Sequence, residues 1–129
     1  MNKKSKLLVV DNEIDICNFV KMFFEMRGYE VQTALNGDDA LSKLDTYTPD
    51  VVMLDVIMRT DNEGLEYLPK VKSKVPGVKV IMVTGVHDDE SIEKAKKSGA
   101  DDYITKPLIL EYLENTVMAK IKNLNNTEK

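Results

Sequence analysis

Four polar positions in this 129-residue chain each follow a short strand-like run, and together their types suit chemistry at phosphorus. Asp11 follows Leu7–Val10, Asp55 follows Val51–Leu54, Thr84 follows Val78–Val83, and Lys106 follows the weaker run Asp102–Thr105. Mg²⁺ is a hard ion that takes oxygen ligands, usually one or two carboxylates completed by water and phosphate oxygens, so Asp11 and Asp55 are candidate ligands. A carboxylate beside such an ion can itself attack phosphorus. The Thr84 hydroxyl can donate to a phosphoryl oxygen, the Lys106 ammonium can neutralise phosphoryl charge, and Gly85 leaves room for a substituent on Asp55. Taken singly, each residue has an ordinary reading: a helix cap for the aspartates, a turn hydroxyl for Thr84, a surface cation for Lys106. What is specific is the set of four, one at each run's end.

Those positions require elements to bring them together. The three apolar runs are short and rich in Val, Leu, Ile and Met, which suits strands covered on both faces, as in a parallel sheet. Glu30–Ala34 and Asp102–Thr105 are weaker strand candidates. Helical spacing occupies the intervals: about Glu13–Arg27, Gly37–Tyr47, Glu63–Lys74, Asp89–Ser98 and Leu108–Leu124. Gly28 and Gly99 suit helix stops, and Pro49 follows the second helix. The fourth helix has Ile92 and Ala95 as its clear apolar positions and should pack lightly. The order is (βα)₅, an α/β chain whose right-handed crossovers put helices on both faces of a doubly wound parallel five-stranded sheet. Ligand sites in such sheets lie past the carboxyl ends of the strands, where all four polar residues fall.

Composition narrows the function further. Hydrophobic residues are 43% and charged residues 31%, an ordinary globular balance. The net charge of −4 is a poor match for nucleic acid, which needs clustered Lys and Arg. One cysteine, Cys17, allows no internal disulfide and reads as a small buried apolar residue. No apolar run approaches the roughly 18 residues of a membrane span, and Met1–Lys6 lacks a secretory apolar stretch, so no membrane association and a cytoplasmic location are expected. The expected organisation is one domain over 1–129, its core about 5–123, with frayed tails at 1–5 and 125–129 and nothing left for an output domain. Met22, Met26, Met53, Met58 and Met82 read as core filler, and His87 as solvated.

Over about residues 5–123 the chain resembles a receiver domain of the two-component response-regulator family, of the single-domain chemotaxis-regulator type. The resemblance rests on Val9-Val10-Asp11-Asn12-Glu13, Val51-Val52-Met53-Leu54-Asp55, Val83-Thr84-Gly85 and Gly99-Ala100-Asp101-Asp102-Tyr103-Ile104-Thr105-Lys106-Pro107. It implies a flavodoxin-like sheet of strand order 2-1-3-4-5, which makes the strands of Asp11 and Asp55 neighbours. It also implies that Asp55 accepts phosphate from a phosphohistidine on a sensor histidine kinase or phosphotransfer protein, and that a downstream protein reads the result. Thr84 and Lys106 then bind the phosphoryl group, Tyr103 is the aromatic switch, and Ile57 and Val86 control access of water. Asp11, Asn12, Asp55 and the Ile57 carbonyl hold Mg²⁺, and the Lys106–Pro107 bond is cis.

Two departures stand out. The family usually carries two adjacent acids after the first strand, whereas the second position here is Asn12. The loop after Asp55 usually has Met-Pro three and four residues on and Gly eight on; here Arg59 follows Met58, and Gly64 is nine on. Asp61 and Glu63 either compensate for the missing charge or are solvated. Asn12 and Arg59 support an alternative, a non-phosphorylated interaction module with weakened Mg²⁺ binding. A flavin carrier on the same fold would need a Ser/Thr/Gly-rich loop after the first strand, where Asp11-Asn12-Glu13 is acidic.

Overall fold

A computed structural model describes residues 4–85 and 89–126. In chain order the elements are β1 (Lys6–Val10), α1 (Ile14–Glu25), β2 (Glu30–Ala34), α2 (Gly37–Lys43), β3 (Val51–Asp55), α3 (Glu63–Lys74), β4 (Lys79–Thr84), α4 (Asp89–Lys97) and β5 (Asp102–Thr105). The last helix, α5, starts as Leu110–Tyr112, widens into a π-helical turn over Leu113–Val117 and continues as Met118–Asn126. The strands form one parallel sheet ordered β2-β1-β3-β4-β5, as the resemblance implies.

Alternation along each strand divides the core into two layers. Leu7 and Val9 of β1 and Val51 and Met53 of β3 face α1 and α5, packing on Phe24, Leu113 and Ile121. Leu8, Val10, Val52 and Leu54 face the other way, toward Ala40, Leu68, Val71 and Ala95 of α2, α3 and α4. Both faces are covered, so the central strands read in sequence as unbroken apolar runs.

Helix ends differ from their sequence expectation for local reasons. Helix α1 stops at Glu25, and Gly28, at φ +91°, carries the chain onward to β2. Helix α2 closes at Lys43 rather than Tyr47. The Tyr47 ring is buried, with its hydroxyl directed at the Leu7 and Glu30 carbonyls, 3.1 Å from each. Pro49 also disfavours helical backbone at the residue before it. Helix α3 tolerates Pro69 as its seventh residue, where no N–H is available for the Leu65 carbonyl. Helix α4 is lightly held as expected, with Ala95 buried and Ile92 half-buried.

Two expectations are corrected. Met53, Met58 and Met82 are buried, but Met22 and Met26 are exposed, on the side of α1 opposite Val20, Phe23 and Phe24. Four residues advance a helix by slightly more than one turn, so Met22 and Met26 share that outer face. The inner ends of the expected tails are held: Asn125 Nδ2 donates to Ser5 Oγ at 3.2 Å, and the Ser5 carbonyl accepts from Glu30 N at 2.9 Å. The outermost tail residues, together with Val86 and His87, lie outside the described residues. No helix among the described residues is long and apolar enough to cross a membrane.

Candidate functional site

The carboxyl edge of the sheet gathers Asp11, Asp55, Thr84 and Lys106. Asp11 extends the β1–β2 ladder through its N–H to the Ala34 carbonyl at 3.0 Å, while its Oδ1 accepts from Glu13 N at 2.9 Å and turns the chain into α1. Asp55 is the last residue of β3, in register with Val83. The Lys106 N–H donates to the Thr84 carbonyl at 2.8 Å, which pins the end of β5 to β4. The Lys106–Pro107 peptide bond is cis, as expected.

Lys106 Nζ lies 3.0 Å from Asp11 Oδ2 and 2.9 Å from Asp55 Oδ2. One ammonium therefore serves two buried carboxylates. Burial pushes the Asp55 carboxyl up to about 6; the hydrogen bond from Lys106 pulls it down, and the neighbouring Asp11 charge pushes it up again. Burial opposes the charge on Lys106, but bonds to both aspartates outweigh it and raise its pKa. The two effects agree physically, because the lysine gains from both acids while Asp55 must share the lysine. Beneath the site, the Cys17 thiol donates to the Asp11 carbonyl at 3.3 Å. Burial, then the Asp11 charge, pushes that thiol up to about 11, so it stays protonated.

The remaining expected residues are less tightly gathered. Thr84 is buried, with its hydroxyl directed at the Ile104 carbonyl at 3.5 Å, the outer limit of a hydrogen bond. Gly85 borders open space, with no atom within 4 Å of where a Cβ would stand. Tyr103 is half-buried, its ring flanked by Lys96 Nζ of α4 at 5.7 Å and Lys120 Nζ of α5 at 5.0 Å. Lys120 also donates to the Tyr103 carbonyl at 2.8 Å. Asn12 and Ile57 are exposed.

The loop between Asp55 and α3 holds what sequence reading missed. Glu63 is neither solvated nor turned to the aspartate pair: it is buried and bonded to Arg59 and to Gly37 N. The Arg59 hydrogen bonds come first among the causes that hold its carboxyl below the usual range. Opposite charges four residues apart were visible in the sequence, but Gly37, 26 residues away, was not a visible partner. Asp61 is exposed. Gly64 lies against the backbone of Asp55: its N–H donates to the Val56 carbonyl at 2.9 Å, and a Cβ there would stand 2.0 Å from the Asp55 carbonyl oxygen.

These donors fit Mg²⁺. The two buried carboxylates present oxygen only, and the Asn12 amide and the Ile57 carbonyl follow in the adjoining segments. No cluster of three or more His, Cys, Asp or Glu side chains suited to a metal occurs among the described residues. Mg²⁺ commonly needs no such cluster, since it keeps several waters and takes one or two carboxylates.

Known proteins resemble this chain along most of its length. The family model for the response regulator receiver domain matches residues 7–118. The transcriptional regulatory protein TrcR of Mycobacterium tuberculosis is 34% identical over 124 residues, covering 96% of this chain and 48% of that protein. The alkaline phosphatase synthesis transcriptional regulatory protein PhoP of Bacillus subtilis is 38% identical over 109 residues, covering 83% and 43%. The chain thus spans about half the length of these curated relatives. Among solved structures, a two-component response regulator from Clostridium difficile aligns with a TM-score of 0.82 at 31% identity, covering 95% of this chain and 99% of that one. A CheY-like response regulator receiver domain protein from Methanospirillum hungatei aligns with a TM-score of 0.83 at 30% identity, covering 97% and 99%.

Proposed function

The chain belongs to the response regulator receiver domain family, and from that premise we propose that Asp55 is the phosphoacceptor of a two-component phosphorelay. A receiver domain is a signalling module rather than an enzyme, it generally binds Mg²⁺, and it works between a histidine kinase or phosphotransfer protein and a downstream target. The observation that carries the reading is the buried Asp55 carboxylate held 2.9 Å from Lys106 with Asp11 on the same ammonium.

Asp55 is mostly ionised above its pKa of about 6. Its oxygen forms an O–P bond as the donor's P–N bond breaks, and the departing imidazole keeps the electron pair. Lys106 moves with the new negative charge onto a phosphoryl oxygen. The Thr84 hydroxyl exchanges its weak bond to Ile104 for another phosphoryl oxygen, and Tyr103 follows into the space that Thr84 leaves. Asp11, Asn12, Asp55 and the Ile57 carbonyl are the residues that would hold Mg²⁺. When bound, the ion supplies positive charge against the repulsion between carboxylate and phosphoryl oxygens. The apolar side chain of Ile57 limits the approach of water, so hydrolysis of the acyl phosphate is slow. A groove of about 570 Å³, lined by Glu13, Ile16, Phe19, Pro107 and Leu108, lies beside Lys106.

The test is phosphorylation by a small acyl phosphate, with and without Mg²⁺, read by intact mass. Wild type should gain one phosphoryl group, labile to hydroxylamine, and Asp55→Asn none. In a Mg²⁺ titration of the rate, Asn12→Asp should lower the midpoint about tenfold, equivalent to roughly 1.4 kcal/mol of added charge attraction. Uptake persisting in Asp55→Asn at the wild-type yield overturns the assignment. No uptake by wild type would favour the unphosphorylated interaction module.

A further inference from the structure

The acid that opens α3 has a role that phosphoryl chemistry alone does not explain. Glu63 is among the most deeply buried side chains of the molecule, at 2% exposure, and both of its oxygens are engaged. Oε1 accepts from Arg59 N at 2.8 Å and Arg59 Nε at 3.0 Å. Oε2 accepts from Gly37 N at 2.7 Å and Arg59 Nη2 at 2.6 Å. The Arg59 guanidinium continues to Asp38 Oδ2 at 3.2 Å, and Tyr67 donates to the other oxygen of Asp38. One carboxylate thus ties the middle of the loop after Asp55, the start of α3 and the start of α2 into a single knot.

The residue beside this knot is Gly64, whose backbone packs directly on the Asp55 carbonyl. The loop that the knot closes, residues 56–62, contains no proline to stiffen it. We propose that Glu63, with Arg59, is a positioning residue for phosphoryl transfer: it fixes the 56–62 loop against α2 and thereby sets the geometry of Asp55 and the Ile57 carbonyl. This inference rests on Asp55 being the acceptor. A buried carboxylate bonded to two backbone N–H groups and a fork of guanidinium donors restricts the arrangements open to the segments it joins.

The chemistry of the amide makes Glu63→Gln informative. Each oxygen of Glu63 meets a backbone N–H, so in either orientation the glutamine NH₂ opposes one of them. The full chain is compared at 25 °C with Glu63→Gln, Arg59→Lys, Arg59→Ala and a control, Lys74→Gln, which removes a surface ion pair to Asp45. Amide hydrogen exchange at Arg59 and Gly37 and the rate of Asp55 phosphorylation by a small acyl phosphate are the two readouts. In Glu63→Gln, exchange at one or both amides should rise at least about tenfold while the β1 and β3 amides keep their protection. The phosphorylation rate should fall roughly tenfold, because small misplacements of reacting groups cost rate steeply. Arg59→Lys keeps a positive charge but loses the guanidinium fork, and its rate should fall between those of wild type and Glu63→Gln; the control should match wild type.

Faster exchange in Glu63→Gln with an unchanged phosphorylation rate would show a purely structural knot and overturn the proposal, as would unchanged exchange. Should Glu63→Gln fail to fold, Arg59→Ala decides: it leaves both backbone bonds and removes the fork, and a rate equal to wild type overturns the proposal. Absence of uptake by wild type is a different failure. It removes the acceptor reading itself, while the exchange measurement still reports whether Glu63 holds the loop.

Discussion

Sharing one ammonium between two buried carboxylates has a consequence for stability as well as for chemistry. Desolvation, followed by the opposing pull of Lys106 and the push of Asp11, leaves Asp55 at about 6. An acid raised in the folded state favours its protonated form there. Its contribution to stability is present below its unfolded value, near 4, and is lost as pH rises through about 6. Asparagine does not titrate. Asp55→Asn should therefore be more stable than wild type at pH 7.5, by on the order of 1–3 kcal/mol, with the gap narrowing toward pH 4.5. Urea unfolding at both pH values checks this, and a gap independent of pH would refute it. At this scale the convergence of Asp11, Asp55 and Lys106 was legible, because chain direction alone carries strand ends to one edge. The Gly37 partner of Glu63 was not: that hydrogen bond depends on how α2 seats against α3, and no local spacing encodes it.

That seat is itself an element-scale feature. Gly37 opens α2, and a Cβ there would stand 2.4 Å from the Tyr67 ring of α3. Gly→Ala within a helix ordinarily stabilises. Here the collision should reverse the sign, and Gly37→Ala should cost about 1–3 kcal/mol by overpacking. In a Tyr67→Ala background the ring is gone and most of that cost should vanish, a non-additivity that chemical denaturation of the four-member cycle measures. Equal costs in both backgrounds would mean that the helices part without strain. Element identity was well marked in the sequence because strands buried on both faces cannot alternate, and helices must. Element ends were not. Helix α2 yields to a tyrosine anchored on two strand carbonyls, and α5 contains a π-helical turn between Leu113 and Val117, both buried, that a regular period does not foresee. The outward Met22 and Met26 show the same limit, since apolar residue type alone does not tell a core face from an outer one.

For the whole molecule, strict alternation of strand and helix made the parallel sheet legible, whereas its order rested on family resemblance. Pairing of β1 with both β2 and β3 is a non-local choice, decided by which helices cover which face. The contact between Ser5 and Asn125, 3.2 Å apart, links residues at opposite ends of the described chain on the edge away from Asp11 and Asp55. From residue 5 to residue 125 the backbone is thus nearly a closed ring, and the order in which that stretch is threaded is separable from its shape. A circular permutant that joins residues 5 and 125 through a short Gly/Ser linker and opens between the exposed Pro76 and Gly77 should fold, with the far-ultraviolet circular dichroism of the parent. It should also accept phosphate at Asp55 at a rate within about threefold of the parent, because such exposed turns tolerate new ends. Loss of phosphorylation in a folded permutant would show that the edge bearing Asp55 depends on continuity of the chain at a turn on the opposite side of the sheet.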